Sequence, residues 1–104
     1  MSTPPLSKET EKRIELLFHP SEHELVRSLL LSDCGNNLPG LQSADSRTMD
    51  RFRFAVLKLS EGDLSELDKA LRLGNTDWRD LLMAAGFGES LTVHESWLPK
   101  ARSG

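Results

Sequence analysis

At 104 residues the chain has the length of one domain and is too short for two independent hydrophobic cores. Its 38% apolar and 28% charged residues exclude a fibrous repeat and wholesale disorder. A formal charge of -3 disfavours a surface built throughout to meet phosphate backbones, and the single cysteine, Cys34, excludes an internal disulfide, which suits a reducing cytoplasm.

Residues 1–5 carry two prolines and little apolar content, so they are expected to form a flexible N-terminus; they lack the basic and apolar regions of a signal peptide. The ordered body is expected over 6–99, with 100–104 as a flexible polar tail after Pro99. Ile14, Leu17 and Phe18 predict a first helix from Ser7 to Phe18. A second, from Pro20 to Asp33, begins with Ser21 and Glu24 in capping positions and carries Leu25, Val26, Leu29 and Leu30 on one face. Its oiliest stretch, Leu25 to Leu31, is interrupted by Arg27 and Ser28 and falls far short of the roughly 18 residues that span a bilayer. No membrane partner is therefore expected.

The segment from Cys34 to Asp45 holds two glycines, a proline and two asparagines and reads as a long exposed loop, tacked to the core by Leu38 and Leu41. A third helix, Arg47 to Ser60, presents Phe52, Phe54, Ala55, Val56, Leu57 and Leu59 on more than one face, which marks it as the centre of the fold. Asp63 and Glu66 open a fourth helix running to Leu73, and a fifth from Asp77 to Ala85 is expected to be capped by Thr76 or Asn75. Gly74 and Gly86 are expected to stop these two helices, and a sixth turn falls near Thr92 to Trp97. The sum is an all-α fold, a compact bundle of five or six short helices packed at mixed angles.

Few residues suggest chemistry. His19 and His23 are four apart and Cys34 could add a third metal ligand, but Pro20 between the histidines should leave His19 in the preceding turn and spoil their shared face. Cys34 follows the second helix, where the dipole disfavours a thiolate, so it reads as a small buried hydrophobe. No serine sits in a nucleophile-elbow pattern, and the glycines are not spaced as a phosphate loop. Neither a catalytic residue, a metal site nor a cofactor is expected.

The fourth and fifth helices imitate a helix-turn-helix, yet Asp63 to Leu98 holds three basic residues (Lys69, Arg72, Arg79) against seven acidic ones, a surface that would repel phosphate. The basic concentration lies on the third helix, where Arg47, Arg51 and Lys58 form a stripe beside Arg53. Trp78 shares a face with Leu81, Leu82 and Ala85 and reads as core, and Phe87 suits the apolar contact behind a helix stop. Trp97 is read either as a clamp on the last turn or as a contact for a partner.

Asp77-Trp78-Arg79-Asp80-Leu81-Leu82, Ala84-Ala85-Gly86-Phe87 and Trp97-Leu98-Pro99, with Arg53 to Ser60 upstream, resemble a small bacterial family of uncharacterised helical proteins over about His19 to Pro99. The resemblance implies no activity, cofactor or site. The function expected is thus a non-enzymatic protein-interaction module with an apolar patch at Leu38, Leu41 and Trp97. The alternative is nucleic-acid binding through Arg47, Arg51 and Lys58.

Overall fold

The computed structural model describes residues 6–32, 46–88 and 93–99. Among them lie five α-helices: α1 Lys8–Leu17, α2 His23–Ser32, α3 Ser46–Ser60, α4 Leu64–Thr76 and α5 Trp78–Ala85. Single 3-10 turns at Pro20–Glu22 and Val93–Ser96 complete the order, and no strand occurs among the described residues. The all-α bundle expected from the apolar spacing is the fold observed.

Each boundary has a local cause. Ser7 caps α1 by accepting the Thr10 N–H, and Asp63 caps α4 by accepting from Ser65 and Glu66. Pro20 does not open α2 directly. His19 caps a separate 3-10 turn, and α2 proper begins at His23, three residues later than the expected start at Pro20.

Two expectations about the fourth and fifth helices are corrected. Gly74 is not a stop: α4 runs on to Thr76, and Gly74 lies buried within it. A Cβ there would meet Leu81 Cδ2 at 2.9 Å, so the missing side chain lets α4 and α5 approach. The cap of α5 is Asp77, not Thr76 or Asn75, and it accepts from Arg79 and Asp80. Gly86 does stop α5 in the left-handed conformation, with φ 81°. Gly86 N–H donates to Met83 and Phe87 N–H to Leu82, a Schellman arrangement that tucks Phe87 into the core.

α3 is the centre, as its apolar coverage predicts. It packs against α1, α4, α5 and the C-terminal 3-10 turn, whereas α2 lies mainly on α1. Phe52, Phe54, Ala55, Val56 and Leu57 are all buried, together with Ile14, Phe18, Val26, Leu30, Leu67, Leu71, Leu81, Leu82 and Phe87. Trp78 is only partly buried: it packs edge-to-face with Phe52 at 5.7 Å between ring centroids and has the Arg79 guanidinium over its ring at 5.3 Å. The α3–α4 turn places Gly62 at φ 84° directly over α1, where a Cβ would fall 2.5 Å from the Leu17 carbonyl oxygen. No helix is long and apolar enough to cross a membrane among the described residues.

Candidate functional site

The apolar face of α1 repeats at Thr10, Arg13, Ile14, Leu17 and Phe18, so two polar side chains share the core-facing stripe. Both are buried, and each has an exacting set of partners. The hydroxyls of Ser7 and Thr10 donate to Asp50 Oδ1 of α3 at 2.8 and 2.9 Å. This ties the N-terminal turn of α1 to α3 and sets the carboxylate near the positive end of the α1 dipole.

One turn further on, Arg13 is 1% exposed. Its Nε and Nη2 donate to the Trp97 carbonyl at 3.1 and 2.8 Å, and Nη2 also reaches the Glu95 carbonyl at 3.5 Å. Its Nη1 donates to the Glu9 carbonyl at 2.8 Å and to Glu9 Oε1 at 3.0 Å. All five N–H groups of the guanidinium are thereby committed. The same group lies 4.0 Å from the centroid of the Phe54 ring, so burial is offset by a face-on cation–π contact as well as by hydrogen bonds.

His94 completes the cluster from the C-terminal turn. It is 1% exposed and stands edge-on to Phe54 and Phe87, at centroid distances of 5.4 and 6.2 Å. Neither ring nitrogen has a hydrogen-bond partner among the described residues, an arrangement that costs about 1–3 kcal/mol per unsatisfied group. Burial pushes the His94 pKa below the ordinary imidazole value; Glu95 and Asp50 pull it upward against Arg51 and Arg13, which push it down. Glu9, Arg13, Asp50, Phe54, His94 and Glu95 together line a cleft of about 400 Å³.

Of the two roles its position suggests, Trp97 fills that of the clamp. Its carbonyl is the anchor for Arg13, and its half-buried ring tilts against Phe54 and Phe87 at 6.2 Å from each, so it clamps the last turn. The neighbouring Leu98 remains half exposed beside it. Leu38 and Leu41, the other members of the expected patch, lie outside the described residues, as do the flexible segments expected at 1–5 and 100–104.

The basic stripe of α3 is put to a different use. Arg51 donates twice to the Phe87 carbonyl, at 3.2 and 2.7 Å, and Lys58 Nζ donates to the Ala85 carbonyl at 2.8 Å while lying 4.9 Å from the Phe87 ring. Both cations therefore cap the C-terminus of α5, where the helix dipole and open carbonyls favour positive charge. Burial lowers the Arg51 pKa, and Arg53 is wholly buried. The side chain of Arg47 lies outside the described residues.

The histidine pair is not brought together. His19 Nδ1 accepts the Ser21 N–H in its own turn, and His23 Nε2 bonds to the Phe18 carbonyl at 2.8 Å. Cys34 lies outside the described residues, among which no group of three metal-ligating side chains occurs. A second cleft of about 400 Å³ between α1 and α2 is lined by Leu6, Lys8, Glu11, Lys12, Glu15 and Arg27, with Arg27 paired to Glu11.

Arg13, Asp50 and His94 are thus the residues that sequence reasoning passes over. The signal for Arg13 was present: it sits three residues after Thr10 and beside Ile14 on the apolar face. Asp50 and His94 carry no comparable local signal, because their partners are far along the chain. Scans against protein-family models, curated proteins and solved structures each give no match.

Proposed function

We propose that this protein is a non-enzymatic interaction module whose working surface is the cleft between α1, α3 and the C-terminal turn, with Trp97 and Leu98 beside it. The observation that carries this reading is the buried Arg13. A fold that needed only to pack its last turn would be served as well by an apolar side chain, because burying a charge costs several kcal/mol unless every donor is matched. Matching all five donors instead holds the Glu95 and Trp97 backbone to hydrogen-bond tolerance against α1. Rigid placement of that kind is what a binding constellation requires.

Nucleic-acid binding has less support, since Arg51 and Lys58 already serve as helix caps and a phosphate would compete with those carbonyls for their donors. Peptides selected from a random library against the purified chain and titrated into ¹⁵N-labelled protein test the proposal. Amide shifts are expected to concentrate at Glu9, Asp50, Glu95, Trp97 and Leu98. Shifts centred on α4, or on Arg51 and Lys58, would sink it.

A further inference from the structure

Resting on that reading, we propose that the cleft binds a primary alkylammonium group, the end of a lysine side chain or a free amine, against Asp50, Glu9 and the His94 ring. The argument is one of hydrogen-bond capacity. Arg13 is the cleft's full-time cation, and it has no donor left for a ligand. What the walls offer is acceptors. Asp50 Oδ1 takes two hydroxyl protons, while Oδ2 has no donor among the described residues. Glu9 likewise commits Oε1 to Arg13, and its Oε2 has no donor among the described residues, on a side chain that is 63% exposed.

His94 is the independent sign that something is missing. It is buried, it lines the cleft, and neither of its nitrogens is hydrogen-bonded among the described residues. A neutral imidazole has one lone-pair nitrogen, which an N–H donor on a ligand would satisfy. A ligand supplying only acceptors would meet two carboxylates instead. The cleft therefore selects a cation.

Geometry then separates the two common organic cations. A guanidinium binds best to both oxygens of one carboxylate, in a planar fork. Here Asp50 Oδ1 is already filled by two hydroxyl protons and Glu9 Oε1 takes one proton from Arg13, so neither carboxylate offers the fork two unengaged oxygens. An ammonium carries three donors that point in different directions and suits single acceptors arriving from α1, α3 and the C-terminal turn.

The test is an NMR titration of the full chain at about pH 8, where amines are charged and imidazole is neutral. The probes are n-butylamine, n-butanol, butyrate and Nα-acetyl-lysine amide, followed by a short lysine peptide and its norleucine counterpart. Butylamine and the blocked lysine are expected to shift the His94 ring protons and the Asp50 and Glu9 amides saturably, and butanol and butyrate to leave them in place. Asp50→Asn keeps an oxygen for Ser7 and Thr10 but removes the charge, and is expected to weaken binding about tenfold. Glu9→Gln, which keeps an oxygen for Arg13 but removes the charge, is expected to weaken it about threefold. A lysine peptide that binds much tighter than the blocked lysine assigns the group to a partner protein, and equal affinity assigns it to a free amine. Equal shifts from butanol or butyrate would overturn the cation proposal while leaving a binding cleft. Unchanged affinity in both variants would also overturn it, and a cleft that no probe perturbs would remove the interaction reading as well.

Discussion

Two places in this bundle set a cation against backbone carbonyls, and they differ in what is left over. At the C-terminus of α5, Lys58 and Arg51 meet the Ala85 and Phe87 carbonyls, and the Schellman turn at Gly86 takes those of Leu82 and Met83. At the other, Arg13 is equally spent on Glu9, Glu95 and Trp97, yet it stands among groups whose capacity no described residue uses: Asp50 Oδ2, Glu9 Oε2 and both nitrogens of His94. A charge is available for recognition only to the extent that its hydrogen bonds are not already made. By that measure the basic stripe is partly committed to α5, whereas the cleft keeps acceptor capacity.

The comparison is broken most severely by removing Arg13. Arg13→Met keeps much of the volume but leaves the Trp97 carbonyl without its donors, and is expected to cost about 3 kcal/mol by chemical denaturation. Amide exchange at residues 94–98 should rise well before exchange in α4. A loss below about 1 kcal/mol would mean that the last turn is held by Phe54, Phe87 and Trp97 alone.

At the α5 end the expected losses are smaller, because the cations there are partly solvated. Gly86→Ala forces a side chain into the left-handed region and should cost upwards of about 1 kcal/mol. Lys58→Met gives up one charge-assisted bond to Ala85 and keeps the aliphatic contact with Phe87, for a loss of about 1 kcal/mol. If Lys58→Met proved as damaging as Arg13→Met, the distinction between a surface cap and a buried clamp would not hold.

Most of the scaffold was legible because its signals are local. Apolar spacing located all five α-helices, and Asp63 and Gly86 marked one start and one stop. Gly74 misled for a tertiary reason, since its small size serves contact with Leu81 rather than a turn. The cleft was not legible. Ser7 and Thr10 find Asp50 some forty positions away, and Arg13 finds Trp97 across 84. Such pairings depend on helix packing, which neither periodicity nor capping patterns encode. Trp97 was singled out for its ring, while the atom that anchors it is its carbonyl oxygen.

The gentlest way to sharpen the comparison is to titrate the cleft. Burial lowers the pKa of His94 in the folded chain, so between the unfolded value, about 6.5, and that lower folded value the unfolded state holds the extra proton. Stability from this group is therefore complete above about pH 6.5 and declines as the pH falls toward the folded value. Glu9, lowered by its bond to Arg13, and Asp63, lowered by the backbone N–H of Glu66, act in a separate window below about pH 4.5. In His94→Phe, which fits between Phe54 and Phe87, the upper slope should vanish and the lower one persist. Denaturation midpoints measured from about pH 8 to pH 5 decide the matter, because an unchanged upper slope in the variant would show that His94 does not carry the titration.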